Sequence, residues 1–275
     1  MLHIQLLGDF RLTYDEEPLT AIVQARQQSL LAYLLLHRGA PLPRQHLAFL
    51  FWPDTGEAQA LTNLRNLLHK LRRALPEPER LLQADTQTVQ WRPDAPCTLD
   101  VADFSSLAQS TAQADLEQAV NLYRGDLLPS CYDEWIVTER ERLRHTLLSV
   151  LEKLMSQAEA THNYSAAIGY AQQLVQRDPL REETYRHLMR LHSLNDDRAA
   201  AMHVYHTCAT TLQHELGVEP GKPTRQAYER LLNLEVQPSP PRVQAAVLPP
   251  VGRERDWVLL QSLWREAATW RPHLC

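Results

Sequence analysis

The stretch from Ala58 to Leu75 constrains this chain more than any other segment. Wound as a helix at about 100° per residue, it gathers Leu61, Leu64, Leu68, Leu71 and Leu75 into one narrow stripe. Such a stripe must face a core. The same segment carries Arg65, Lys70, Arg72 and Arg73 and no acid. Its opposite face collects Thr62, Asn63, Asn66, His69, Lys70 and Arg73, with Arg65 and Arg72 near the stripe's edge. Asparagine can form bidentate hydrogen bonds to adenine, lysine or arginine can reach guanine acceptors, and further cations neutralise phosphates. Taken alone, the face is equally a solvated basic surface, so its neighbours in the chain decide.

Those neighbours follow a definite order. Residues 2–12 alternate around a Gly8-Asp9 turn and predict a short hairpin. From Arg26, leucines 30, 31, 34 and 35 predict a helix that ends at Gly39, a plausible C′ residue, before Pro41. A second helix is expected over Arg44–Phe51, and Asp54 or Thr55 is expected to cap the third, basic one. After a Pro76-Glu77-Pro78 stop, Leu81-Leu82 and Thr88–Trp91 flank Asp85-Thr86-Gln87 as a second hairpin. Strands, three helices and a closing hairpin describe a winged helix-turn-helix.

From Leu99 to about Leu234 the pattern is almost wholly helical, with breaks at Gly125, Pro129, Pro179 and Gly217–Pro223. Asn163–Ile168 aligns with Asp197–Met202 at an offset of 34, the period of tetratricopeptide helix pairs. Later offsets grow, as Tyr185–Leu188 aligns with Tyr228–Leu231, so the repeat is degenerate. The expected fold is mainly α: an α+β winged helix domain over 1–95, then an all-α tetratricopeptide-like repeat domain over 98–235. A Pro-rich linker is expected over 236–250, where five prolines fall, and a tail over 251–275.

The net charge of −5 disfavours nucleic acid only until it is resolved by segment. Residues 1–95 balance 10 basic against 10 acidic side chains, residues 96–235 are net −7, and residues 236–275 are net +2. The acidity therefore belongs to the helical half. Four widely spaced cysteines form no zinc or disulfide framework, and no basic, apolar leader or roughly 18-residue apolar run appears. A soluble, cytoplasmic protein is expected.

Several linked motifs carry a resemblance. The segments Leu6–Arg11, Arg26–Ala32, Leu50–Pro53, Asn63–Arg65 and Leu71–Leu75 resemble the OmpR/PhoB-type winged helix of the antibiotic regulatory protein (SARP) family. Leu122–Leu128, Tyr132–Trp135, Glu139–Arg142, Asp178–Glu183 and Glu215–Pro220 resemble that family's bacterial transcriptional activator domain. The resemblance implies a bacterial transcription activator that is not an enzyme. It implies that the third helix reads the major groove of double-stranded promoter DNA. The loop of Trp52, Pro53, Asp54, Thr55 and Gly56, up to Glu57, then faces RNA polymerase, and two protomers sit side by side on direct repeats. The wing departs from the basic pattern: Asp85-Thr86-Gln87-Thr88 has no cation and Arg92 follows only after the second strand. His69 stands where a permanent cation is expected, and its contribution to binding would rise on acidification.

Other motifs point to no cofactor, metal or membrane. Gly217–Lys222 has glycines too close for a phosphate loop, and Pro223 stands where Ser or Thr would touch magnesium. His203, His206 and Cys208 do not share a helical face, and the acids at 133, 134, 139 and 141 interleave with Arg140, Arg142 and Arg144 as a salt-bridged surface. Leu248–Arg255 resembles the segment that precedes the ATPase module of larger regulators, yet no phosphate loop follows it before Cys275. That favours a piece of a longer regulator over a remnant tail. Two rival readings stay open: a protein-binding adaptor, and the front end of an ATPase-gated switch.

Overall fold

The computed structural model describes residues 1–233 and residue 259, so the expected linker and nearly all of the tail lie outside the described residues. Residues 1–227 form one compact unit. A second unit, 228–275, contributes the last turns of one helix and a helical Leu259 to the described residues.

The chain opens with β1 (Leu2–Gln5) and β2 (Arg11–Tyr14), antiparallel with Leu2 opposite Tyr14 and Gln5 opposite Arg11. Gly8 supplies the expected turn at φ +90°, a left-handed conformation that glycine adopts without steric cost. Two strands that sequence reading misses complete this sheet, in the order β3-β2-β1-β7: β3 (Glu17–Pro18) on one edge and β7 (Cys97–Leu99), parallel to β1, on the other. Alternation buries Leu2, Ile4 and Leu12 on one face.

Three helices follow: α1 (Ala25–Leu36), α2 (Arg44–Phe51) and α3 (Glu57–Ala74), with α1 and α2 both packing on α3. The first ends earlier than expected. His37 is its C-cap, with the backbone N–H bonded to the Tyr33 carbonyl, so Gly39 lies outside the cap. Neither Asp54 nor Thr55 caps α3; the N-cap is Gly56, and no side chain bonds there. The proline stop is a turn in which Glu77 takes φ +42° and starts α4 (Pro78–Leu81). The closing hairpin is β5 (Leu82–Ala84) and β6 (Thr88–Trp91), and β6 also pairs with β4 (Leu42–Pro43) at the foot of α2. This is the winged helix of the sequence reading, with its wing tied to α2 by the Arg44 N–H on the Gln87 carbonyl at 2.8 Å.

The rest is helical: α5 (Asp100–Leu107), α6 (Gln113–Leu122), α7 (Glu134–Ala160), α8 (Tyr164–Arg177), α9 (Glu182–Leu194), α10 (Arg198–Leu216) and α11 (Lys222–Asn233). From α5 to α10, apart from the segment between α6 and α7 that joins the head, each helix packs on the next, as in tetratricopeptide arrays. The offset-34 repeat has a direct structural counterpart. Asn163 caps α8 by accepting from the Ala166 N–H at 3.2 Å, and Asp197 caps α10 from the Ala200 N–H at 3.0 Å. Gly217, at φ +70°, ends α10, which makes Gly217–Lys222 a helix-to-helix turn.

The acids and arginines at the start of α7 only partly follow expectation. Arg142 pairs with Glu139 at 2.9 Å. Arg140 instead donates to the carbonyls of Leu127, Leu128 and Cys131, and Arg144 donates to the Arg177 carbonyl. Arginine's planar fork suits this task, since several carbonyls of one irregular segment are engaged at once.

The winged head is fastened to the helices through that segment. The Gly8 N–H donates to the Asp126 carbonyl at 3.0 Å and the Leu128 N–H to the Leu6 carbonyl at 2.9 Å. The Leu6 and Leu7 N–H groups have no strand partner, and both donate to one carboxylate oxygen of buried Asp100 at 2.8 Å. Desolvation raises the Asp100 pKa above its ordinary value against the pull of these donors and of the Val101 N–H. Asp100→Ala leaves both buried N–H groups unpaired and is expected to lower unfolding stability by about 2–4 kcal/mol, measured by urea denaturation. An unchanged denaturation midpoint would show that the carboxylate contributes nothing to the joint.

Candidate nucleic-acid interface

Helix α3 spans 18 residues, about 27 Å at 1.5 Å per residue. Its buried side is Ala60, Leu64, Leu67, Leu68 and Leu71, continued by Leu75. The stripe is therefore rotated slightly from the one read off the sequence. Leu67 joins it, while Leu61, expected inside, is half-buried at its edge. The outward positions hold: Thr62, Arg65, Asn66, His69, Lys70 and Arg73 are exposed, and Asn63 and Arg72 are half-buried.

These side chains are not equally available. Arg72 donates to Glu79 of α4, so part of its charge is spent within the head. The Thr62 hydroxyl donates to the Ala58 carbonyl at 2.9 Å, and Asn63 accepts from Gln59 Nε2 at 3.0 Å. Among the described residues, Arg65, Lys70 and Arg73 form no ion pair, and Asn66 has no side-chain hydrogen bond. Asn66, Lys70 and Arg73 fall at i, i+4 and i+7, a single row along the helix. Glu57 is the one acid of the first turn, and Gln45 of α2 donates to it at 3.0 Å.

The turn between α2 and α3 is held from outside the sequence neighbourhood. Arg26 of α1 places its guanidinium carbon 5.7 Å from the Trp52 ring centroid and 5.8 Å from that of Phe51. The same guanidinium reaches Asp133, the N-cap residue of α7, at 2.5 Å. Asp133 also accepts from Ser29, to which Trp135 Nε1 donates at 3.3 Å, and the Trp135 ring meets Tyr33 edge-on at 5.1 Å. Sequence reading misses this seam as a site, although Arg26–Ala32 and Tyr132–Trp135 are among the stretches that carry the family resemblance.

The wing tip is acidic. The Thr88 and Gln87 N–H groups and the Thr88 hydroxyl donate to Asp85 at 2.7–2.9 Å and hold its carboxyl below the ordinary value. Beside it Thr86 and Gln87 are uncharged, and Arg92, beyond β6, turns to Asp94 at 3.4 Å. Asp85→Asn keeps an acceptor for the turn and removes the charge. Duplex binding is expected to tighten about two- to threefold at low salt and to converge with wild type at high salt, read by fluorescence anisotropy. Equal affinity at every salt concentration would place the wing away from the phosphates.

A winged helix-turn-helix head that presents an acid-poor basic helix, joined to a tetratricopeptide-like helical array, is the architecture of a class of bacterial transcriptional regulators. The family model described as "Bacterial transcriptional activator domain" matches residues 101–232. The chain is 28% identical to the transcriptional regulatory protein MoaR1 of Mycobacterium tuberculosis over 75% of this chain and 72% of that protein. It is 27% identical to the regulatory protein AfsR of Streptomyces coelicolor, over 85% of this chain but 24% of that protein. Among solved structures it is similar to EmbR of Mycobacterium tuberculosis in complex with a low affinity phosphopeptide. The TM-score there is 0.63 at 25% identity, covering 86% of this chain and 66% of that one. The matched domain and these relatives support a transcriptional regulator similar to those of the SARP family. No helix among the described residues is long and apolar enough to cross a membrane.

Proposed function

We propose that the chain binds double-stranded promoter DNA in the major groove through α3 and activates transcription from there. One observation carries the reading: Asn66, Lys70 and Arg73 lie in one exposed row, and neither cation of that row is paired within the described protein. An amide followed along one helix face by two unpaired cations supplies base-reading donors and acceptors together with phosphate neutralisation. Arg65 and His69 form a second exposed row on the flank, suited to the phosphates of one strand. Thr62 and Asn63, nearer the helix start, would meet the groove through whatever capacity their intrahelical bonds leave. Arg72 contributes least, because Glu79 competes for it.

In this reading the head is 1–95 and the activator domain 98–235, with a linker at 236–250 and a separate tail at 251–275. The net −7 of the helical half keeps it off the duplex and offers surface to proteins. The exposed turn Trp52–Gly56 would face RNA polymerase, two protomers would lie side by side on direct repeats, and the protein would work in the cytoplasm.

The test begins by selecting bound genomic fragments with the chain, then measuring affinity across a salt series. Replacing Asn66, Lys70 and Arg73 together by alanine is expected to remove salt-sensitive duplex binding. Lys70→Ala alone should weaken all sequences alike and reduce the salt slope by about 1, whereas Asn66→Ala should relax preference at one base pair by about 1–3 kcal/mol. Unaltered binding by the triple variant would overturn the reading of α3, and absence of duplex binding by the unaltered chain would favour an adaptor whose helical array holds protein ligands.

A further inference from the structure

We infer that Arg26 and Asp133 are positioning residues through which the helical domain sets the start of the DNA-reading helix. The inference rests on the proposed DNA-binding role of α3, and it adds that the head alone is not preorganised to bind. Arg26 lies on α1, and Asp133 lies 107 residues later at the N-cap of α7. The guanidinium bonds the carboxylate at 2.5 Å and stands over Phe51 and Trp52, the last residue of α2 and its C-cap. After Trp52 only four residues remain before α3 begins. Those four hold few internal restraints. The Thr55 N–H donates to the Trp52 carbonyl at 3.2 Å, and Gly56, the N-cap of α3, receives no side-chain bond.

The Trp52 N–H is held by the Ala48 carbonyl at 3.0 Å, so it is the placement of its ring and of the turn beyond that depends on what lies over it, and that group is tied to the helical domain. The tie is reinforced on the far side. Asp133 accepts from Ser29 as well as Arg26, Cys131 Sγ lies 3.6 Å from both Ser29 Oγ and Asp133 Oδ2, and Arg140 fixes the carbonyls of Leu127, Leu128 and Cys131 just before it. The carboxylate is one-fifth exposed and the guanidinium under half exposed, so the pair is neither fully screened nor fully desolvated. A cation held over an indole by a fixed anion resists sideways displacement of the ring, since both attractions weaken as either partner moves. The first turn of α3, with its own link from Gln45 to Glu57, inherits that constraint.

Two measurements on the full chain separate this coupling from the DNA-binding reading. Hydrogen exchange of the free protein reads the backbone of 52–60 without any DNA. Arg26→Ala and Asp133→Asn are expected to accelerate exchange there while leaving α8–α10 unchanged, and each to weaken binding to the selected duplex roughly three- to tenfold. The double variant Arg26→Asp with Asp133→Arg restores the ion pair but not the cation over Trp52. It should keep the fast exchange and the weak binding. Arg26→Lys, which keeps the charge over the ring, should recover most of both. Unchanged exchange at 52–60 in Arg26→Ala overturns the inference, and so does fast exchange with wild-type affinity. Absence of duplex binding by the wild-type chain instead overturns the DNA-binding reading, with the exchange result still deciding whether the helical domain restrains the turn.

Discussion

The arrangement depends on one buried carboxylate. After β1 the backbone of Leu6 and Leu7 turns away from its strand partner, and two N–H groups must be satisfied in the interior. Asp100, the first residue of α5, accepts both. Because the acceptor belongs to the helical half and the donors to the head, the bond fixes where the first helix of one leaves the sheet of the other. The exchange of bonds between 6–8 and 126–128 continues the seam, and Asp133 closes it on α1. The residues from 1 to 227 accordingly form one compact unit, although the sequence divides them by charge and by period.

That division by charge is what makes the chain intelligible. A net −5 spread evenly would repel a polyanion, but the acids sit in the helical half and the head is neutral overall. Within the head, acids lie at the wing tip, in turns and near the starts of short elements, and α3 carries a row from which they are absent. In the proposed reading, binding energy then comes from one helix, with little support from the wing. A protein built that way needs the helix accurately placed, which gives the seam between the two halves a functional meaning as well as a structural one.

Much of this was legible in the sequence where it is local. The period of α3, the bounds of α2 and the closing hairpin follow from spacing alone, because side chains three and four apart share a face and alternate residues share a sheet side. The matching Asn163 and Asp197 caps follow from a repeat visible in the letters. The short strands β3, β4 and β7 were not legible: each has two or three residues; β3 is only the return of a tight turn on β2, and β4 and β7 exist because a distant strand pairs with each. The cap of α3 went to Gly56 instead of Asp54 or Thr55, since Thr55 bonds back to Trp52 and the turn carries the chain past both side chains. The rotation that brings in Leu67 reflects packing against α1 and α2, which no single-helix projection contains. Arg26 and Asp133 were out of reach for the same reason: their 107-residue separation leaves no periodic signal.

The central claim is that α3 reads a duplex from its major groove. Methylation interference on the selected DNA tests it most directly, because dimethyl sulfate marks guanine N7 in the major groove and adenine N3 in the minor groove, two faces with different donor and acceptor patterns. The account predicts that methylation at guanine N7 within the site blocks binding and that methylation at adenine N3 opposite the wing has little effect. Interference confined to adenine N3, with guanine N7 methylation tolerated throughout the site, would contradict it.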